Sequence, residues 1–247
     1  SETCIRDRSL PAAAANPDAV ARQFDEHLAA AQLKAKVSPA PRSDDAEFLR
    51  RAYLDLAGTI PTATEARAFL DDRAVDKRTK LIDKLLASPD SSRHFATVWR
   101  RAWLPQADAT ALIAFSTEFD SWLSSRLAAN HRYDVVVRDL LAAPPAEPTG
   151  PDARNRSAAR LFIQLHEYKP EDTAAGASRA FLGLNLDCAQ CHNHPFAKWT
   201  QEEFWQTAAF FAPPAKAGKA NERLAVTIPG TKRVVYPAHV TGEEVSW

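Results

Sequence analysis

Proline sets the frame of this chain. Seventeen prolines stand against only seven glycines, and they divide Ala-, Leu-, Arg- and Glu-rich stretches into segments of ordinary helix length. Proline is accepted in the first turn of a helix and ends any helix that runs into it, so a sequence punctuated this way folds as a succession of short helices. Asn16-Pro17-Asp18 supplies a cap, a first-turn proline and an acidic first turn for a helix to about Lys36. From Asp44 to about Ala143 the pattern repeats. Phe48, Leu49, Tyr53 and Leu56 fall at helical spacing before Gly58, Thr62 to Glu65 reads as a capping box, and Leu81, Ile82, Leu85 and Leu86 form a stripe stopped at Ser88-Pro89. Trp99 and Trp103 stack at i and i+4 on the next helix. Further helices are expected around Phe119–Leu127, Tyr133–Leu141, Asn155–Glu167 and Pro170–Leu182, and a capping box at Thr200 opens another that runs to about Phe211. Only the tail changes period: Leu224–Thr227 and Arg233–Tyr236 flank Pro229-Gly230-Thr231 as a small hairpin. The expected fold is mainly α, a multi-helix domain with a short C-terminal β-hairpin.

The Pro-rich run Pro144–Pro151 is the best internal boundary. It divides the chain into an N-terminal helix and linker (1–43), a helical subdomain (44–150), a second helical subdomain (151–212) packed on the first, and a hairpin tail or junction to a further C-terminal domain (213–247). Thirty-one basic and 31 acidic residues cancel, which removes the electrostatic footprint expected of a nucleic-acid binder or a polybasic membrane patch. No stretch approaches the roughly 20 consecutive apolar residues of a membrane span. Nor is there a hydrolase elbow, a P-loop or a dinucleotide fingerprint.

The chemistry is concentrated in Cys188-Ala189-Gln190-Cys191-His192, a C-x-x-C-H sequence, the signature of covalent haem c attachment. Two thiols at this spacing can add across the two vinyl groups, and the adjoining imidazole reaches the iron from the same side. Cys188 and Cys191 are then the thioether residues and His192 the proximal iron ligand. Two other readings compete. A zinc site from Cys188, Cys191, His192 and His194 would pack four ligands into seven residues, too tightly to surround a tetrahedral ion with ease. A redox pair or disulfide would want a strand before the first cysteine, where a helix is expected instead.

The chain contains no methionine, so a His/Met haem cannot form within it, and the sixth ligand must be another histidine, a different donor, or nothing. His194 is too close: two residues span about 7 Å at most, short of the opposite face of a porphyrin. His94, beside Phe95, Trp99 and Trp103, and His166, just before the attachment helix, are the distal candidates. His131 lies in a helical region, and His27 and His239 are weaker still. Phe196 and Trp199 are the expected pocket wall, and Lys198 or Arg179 could pair with a propionate. Cys4 is an odd thiol near the N-terminus.

Two long stretches also resemble a known family. Asp45 to Thr62, with its Leu-Asp-Leu-x-Gly-x-x-Pro-Thr run, followed by Lys77-Arg78 and Leu81 to Pro89, is similar to the helical domain of unknown function abundant in planctomycete cytochrome-like proteins. Phe181-Leu182-Gly183, Cys188 to Phe196 and Trp199 match the haem-motif end of the same domain. The resemblance covers about Asp44 to Ala212. It implies export, covalent haem and, in many relatives, continuation into another conserved domain; it carries over no catalytic residue.

Together these readings describe an exported mono-haem c-type cytochrome domain in the periplasm or another extracytoplasmic space, reached through a signal peptide that is no longer present. It would pass single electrons to or from a redox partner protein or a C-terminal domain. The alternatives are a haem enzyme or gas sensor with an open distal face, and a non-enzymatic docking module with a structural haem or zinc.

Overall fold

Local signals fix most helix boundaries in the computed structural model, which describes residues 16–105, 113–142, 153–212 and 224–238. Cys4, His239 and the Pro144–Pro151 run lie outside the described residues. Within them the chain forms ten α-helices and one two-stranded antiparallel sheet, and no helix is long and apolar enough to cross a membrane. The described residues fall into two compact units that divide between Glu47 and Phe48.

The first unit is dominated by α1 (Pro17–Ala35). The Asn16 side chain accepts from the Asp18 amide at 3.0 Å, and Lys36 closes the helix in the left-handed region. Helix α2 (Asp45–Ala57), which belongs to the second unit from Phe48 on, ends at Gly58, whose φ of +67° is the conformation expected there. A complete capping box opens α3 (Ala63–Asp71): the Glu65 amide donates to Thr62 Oγ1, and the Thr62 amide donates back to the Glu65 carboxylate at 3.0 Å. Leu49, Tyr53, Phe69, Leu81 and Leu85 from α2, α3 and α4 (Lys77–Leu86) form one small core. Ser88-Pro89 ends α4 and also begins α5 (Pro89–Trp103), with Ser88 as cap and Pro89 at the first position.

A second core joins α5 to α6 (Ile113–Ala128), α7 (Tyr133–Leu141) and α8 (Ala153–Leu165) through Trp103, Phe119, Leu123, Leu140 and Phe162. Phe181 closes it, its ring 5.3 Å from both Trp103 and Phe162. The third core carries the segment that holds Cys188 and Cys191. It gathers Ala174 and Ala175 of α9 (Pro170–Ala177), Leu186, Ala189, and Phe204 and Trp205 of α10 (Gln201–Ala208). Ile228 and Val235 of the hairpin complete it, so the two-residue strands β1 (Val226–Thr227) and β2 (Val234–Val235) are held by the helices they cover. Isolated in water so short a hairpin would be marginal.

One helix departs from expectation. The segment expected as a single α-helix to Leu182 changes pitch at Ser178, and Ser178–Leu182 forms a π-helical turn that stops at Gly183 with φ +66°. Such widened turns are frequent at functional sites.

Candidate functional site

The C-x-x-C-H segment begins in a short 3₁₀ turn, Asp187–Gln190, continued by Cys191 in right-handed helical geometry. Side chains three apart eclipse one another in a 3₁₀ turn, so the segment from Leu186 to Cys191 has three faces. Leu186 and Ala189 are buried in the third core. Asp187 and Gln190 line a neighbouring cavity. Cys188 and Cys191 share the remaining face, where both thiols are free and exposed.

Helix α10 holds this turn by its backbone, which leaves the reactive side chains unencumbered. The buried Trp205 donates its indole Nε1–H to the Gln190 carbonyl at 3.0 Å. The Gln201 side-chain amide donates to the Cys191 carbonyl at 2.9 Å and to the Gln190 carbonyl at 3.3 Å. Asn193 completes the clamp, its Oδ1 accepting from the Gln201 amide at 2.9 Å. The capping box at Thr200, in which the Thr200 amide donates to Glu203 at 2.8 Å, fixes where α10 begins and hence where Gln201 stands.

His192 is exposed, and its Nδ1 lies 2.7 Å from the Asn193 carbonyl. A carbonyl only accepts, so Nδ1 carries the proton and Nε2 the lone pair, the tautomer a metal-ligating imidazole needs. His194 has the opposite arrangement. The Phe196 amide donates to its Nδ1 at 3.2 Å, which puts the proton of the neutral ring on Nε2. Phe196 itself is 95% exposed. Trp199 is half-buried against the third core, and the Lys198 ammonium lies 5.9 Å from its ring centre.

The cavity that meets the turn measures about 370 Å³ and is bounded by Trp103, His166, Gly176, Arg179, Asp187 and Gln190. Arg179 pairs with Asp187 at 3.2 Å at its edge. His166 reaches it from the end of α8, with Nδ1 2.6 Å from the Phe162 carbonyl and the ring packed on Phe162 at 4.9 Å. Burial pushes its imidazole below the usual histidine value, against the opposing effect of that hydrogen bond. His94, by contrast, sits over Gly58 at the end of α2, so closely that a Cβ there would come within 2.2 Å of its ring, and it does not line this cavity. Of these two histidines, His166 lines the cavity that Asp187 and Gln190 also line, and His94 does not. His131 Nδ1 faces the Arg126 guanidinium at 3.4 Å.

Among the described residues, no three His, Cys, Asp or Glu side chains converge as a metal cluster would. Of the residues that hold the turn, Asn193 falls within the Cys188–Phe196 run, whereas Gln201 and Trp205 have no sequence motif of their own, and only the capping box at Thr200 hinted where they would fall.

A family model described as PSCyt2, protein of unknown function (DUF1549), matches residues 23–216. No curated protein and no solved structure matches the chain.

Proposed function

The chain belongs to the PSCyt2 family, a family of unknown function, and from the geometry of residues 187–201 we propose that it is an exported mono-haem c-type cytochrome domain that exchanges single electrons with a partner protein. The observation that carries this reading is the three-faced turn: Cys188 and Cys191 present two free thiols on one exposed face, spaced by one 3₁₀ repeat. Thioether formation at two vinyl groups of one porphyrin edge needs that co-facial, accessible pair. The donor set fits in three further respects. His192 follows directly and has an available Nε2 lone pair, with Nδ1 tied to a backbone carbonyl that orients the ring. The exposed Phe196 ring offers apolar surface for a flat ligand to cover. The Gln201 and Trp205 hydrogen bonds hold the backbone still while the side chains remain free.

In this assignment Cys188 and Cys191 anchor the group, His192 ligates its iron, and Arg179 at the cavity edge can meet a propionate in exchange for Asp187. Haem, when bound, supplies reversible one-electron exchange between ferric and ferrous iron. Haem c is attached outside the cytoplasm, so on this reading the domain works in the periplasm or an equivalent compartment.

The test is to export the full chain alongside cytochrome-maturation machinery, then record its absorption spectrum and the pigment retained after denaturation. One covalent haem per chain with a reversible one-electron titration is expected, and Cys188→Ala and Cys191→Ala should each lose the covalent link. A wild-type chain without pigment, or variants whose pigment is unchanged, would refute the assignment.

A further inference from the structure

We propose that a second cavity, between α7, the π-helical turn and the end of α10, binds a small aromatic acid that carries a hydroxyl or carbonyl oxygen at the end away from its carboxylate. The inference is independent of the haem reading, because the lining contains none of residues 187–192. Size and apolar character are its first support. The cavity measures about 490 Å³, within the roughly 300–1,000 Å³ of small-molecule sites. Helix α7 supplies Val137 and Leu141, and the π-helical turn supplies Phe181 and Leu182. The 3₁₀ turn Ala209–Phe211 that follows α10 adds Phe210 and Phe211. Three phenyl rings favour an aromatic body, because ring pairs attract beyond the area they bury. Leu182 and Phe210 are 60% and 42% exposed, so part of this apolar lining meets solvent.

Three polar side chains interrupt the lining: Arg138, Ser178 and Thr207. Thr207 is satisfied within its own helix, its hydroxyl donating to the Glu203 carbonyl at 2.9 Å. The other two are not. Ser178 is 1% exposed, and its hydroxyl has no hydrogen-bond partner. A helical serine can return its hydroxyl to a carbonyl one turn back. Here the backbone widens at that residue, whose own carbonyl accepts from the Gly183 and Leu184 amides, and the hydroxyl is left over. A buried hydroxyl without a partner is costly, and a ligand oxygen in the cavity removes that cost.

Arg138 is exposed and is the one charged residue of the lining. The acids of its own helix are engaged elsewhere, Asp134 with Arg132 and Asp139 with Arg126, each at 3.0 Å. No described residue pairs with its guanidinium. A guanidinium only donates, and its planar fork matches a carboxylate. The cavity therefore combines an unpaired cation on its exposed side, an unpaired hydroxyl in its buried wall, and phenyl rings. An aromatic ring system with a carboxylate at one end and a further oxygen at the other satisfies all three.

The test uses the purified full chain, titrated by calorimetry with three probes. One is a hydroxynaphthoate with its carboxylate and hydroxyl at opposite ends; naphthoate lacks the hydroxyl, and naphthol lacks the carboxylate. Hydroxynaphthoate should bind saturably at one site per chain, and naphthoate about fivefold more weakly. Arg138→Gln, at an exposed position where the fold is retained, should weaken both acids by about tenfold and leave naphthol unchanged. Ser178→Ala should erase the preference for hydroxynaphthoate while keeping naphthoate within about twofold of its wild-type affinity. Absence of saturable binding, acid binding that survives Arg138→Gln, or a hydroxyl preference that survives Ser178→Ala would overturn the assignment. So would dodecanoate displacing hydroxynaphthoate at lower concentration than naphthoate does, which marks an alkyl-chain site instead. Pigment content enters none of these outcomes, so their failure leaves the haem reading standing, and a chain without pigment leaves this one standing.

Discussion

Removing the Trp205 indole tests whether α10 holds the turn that carries Cys188 and Cys191. The side chain is 3% exposed, and its Nε1–H is donated to the Gln190 carbonyl at 3.0 Å. Trp205→Phe forfeits that bond, at about 1 kcal/mol. It also leaves a void of roughly 40 Å³, which at about 24 cal/mol per Å³ adds about 1 kcal/mol. The sum, about 2 kcal/mol, is a large part of a typical net stability. Gln201→Ala should cost less, about 0.5–1 kcal/mol, because water can replace its bond to the exposed Cys191 carbonyl. The two changes should not add. Gln190 O accepts from both side chains, so either one alone leaves it a donor, whereas the double variant strips both. An excess loss of about 0.5–1 kcal/mol over the sum is expected. Urea denaturation of the haem-free chain gives the energies, with an unchanged m-value required for the comparison. Hydrogen exchange at the amides of residues 188–194 should accelerate in each variant, most in the double one. A Trp205→Phe loss below about 0.5 kcal/mol with unaltered exchange, or strict additivity, would refute the shared-carbonyl clamp.

Two further predictions concern helices in the other two cores. Hydrogen bonds from the Thr62 backbone and hydroxyl, then from Tyr53, hold the Glu65 carboxyl down at about 2. Its contribution to stability is therefore complete above about pH 4.5 and lost as pH falls through about 2. The side chain is 37% exposed, so after solvent screening Glu65→Gln should cost about 1 kcal/mol at pH 7 and flatten the acid limb of the stability curve; superimposable acid titrations would contradict this. Arg100 is buried, and its Nε donates to Asp120 at 2.8 Å, while the Thr97 hydroxyl donates to the other carboxylate oxygen. Asp120→Ala takes that carboxylate from a buried guanidinium and should destabilise by about 3 kcal/mol in chemical denaturation; a loss under about 1 kcal/mol would show that the pair does not hold α5 to α6.

How far the sequence discloses the site depends on the range of the interaction. The caps at Asn16, Thr62, Ser88 and Thr200 are legible because a side chain and an amide within three residues decide them. The Pro229-Gly230 turn is legible for the same reason, with Gly230 at φ +72°. The spacing of Cys188 and Cys191 names a chemistry, but the face on which they emerge is set by Leu186 and Ala189 burying against α10 and the hairpin, which no local pattern records. The histidines make the limit sharper. His94 and His166 both sit among aromatic residues in the sequence, and neither neighbourhood distinguishes them. Tertiary packing does so by seating each imidazole against a different glycine, Gly58 or Gly176, the first at the end of α2 and the second in the wall of the cavity beside the turn. Lys169-Pro170 does force a tight link after His166, because Pro170 begins α9 at a fixed point. That link confines the ring without aiming it. The aim comes from the carbonyl of Phe162 one turn earlier, and a tautomer chosen by a backbone acceptor is a property that only the folded chain has.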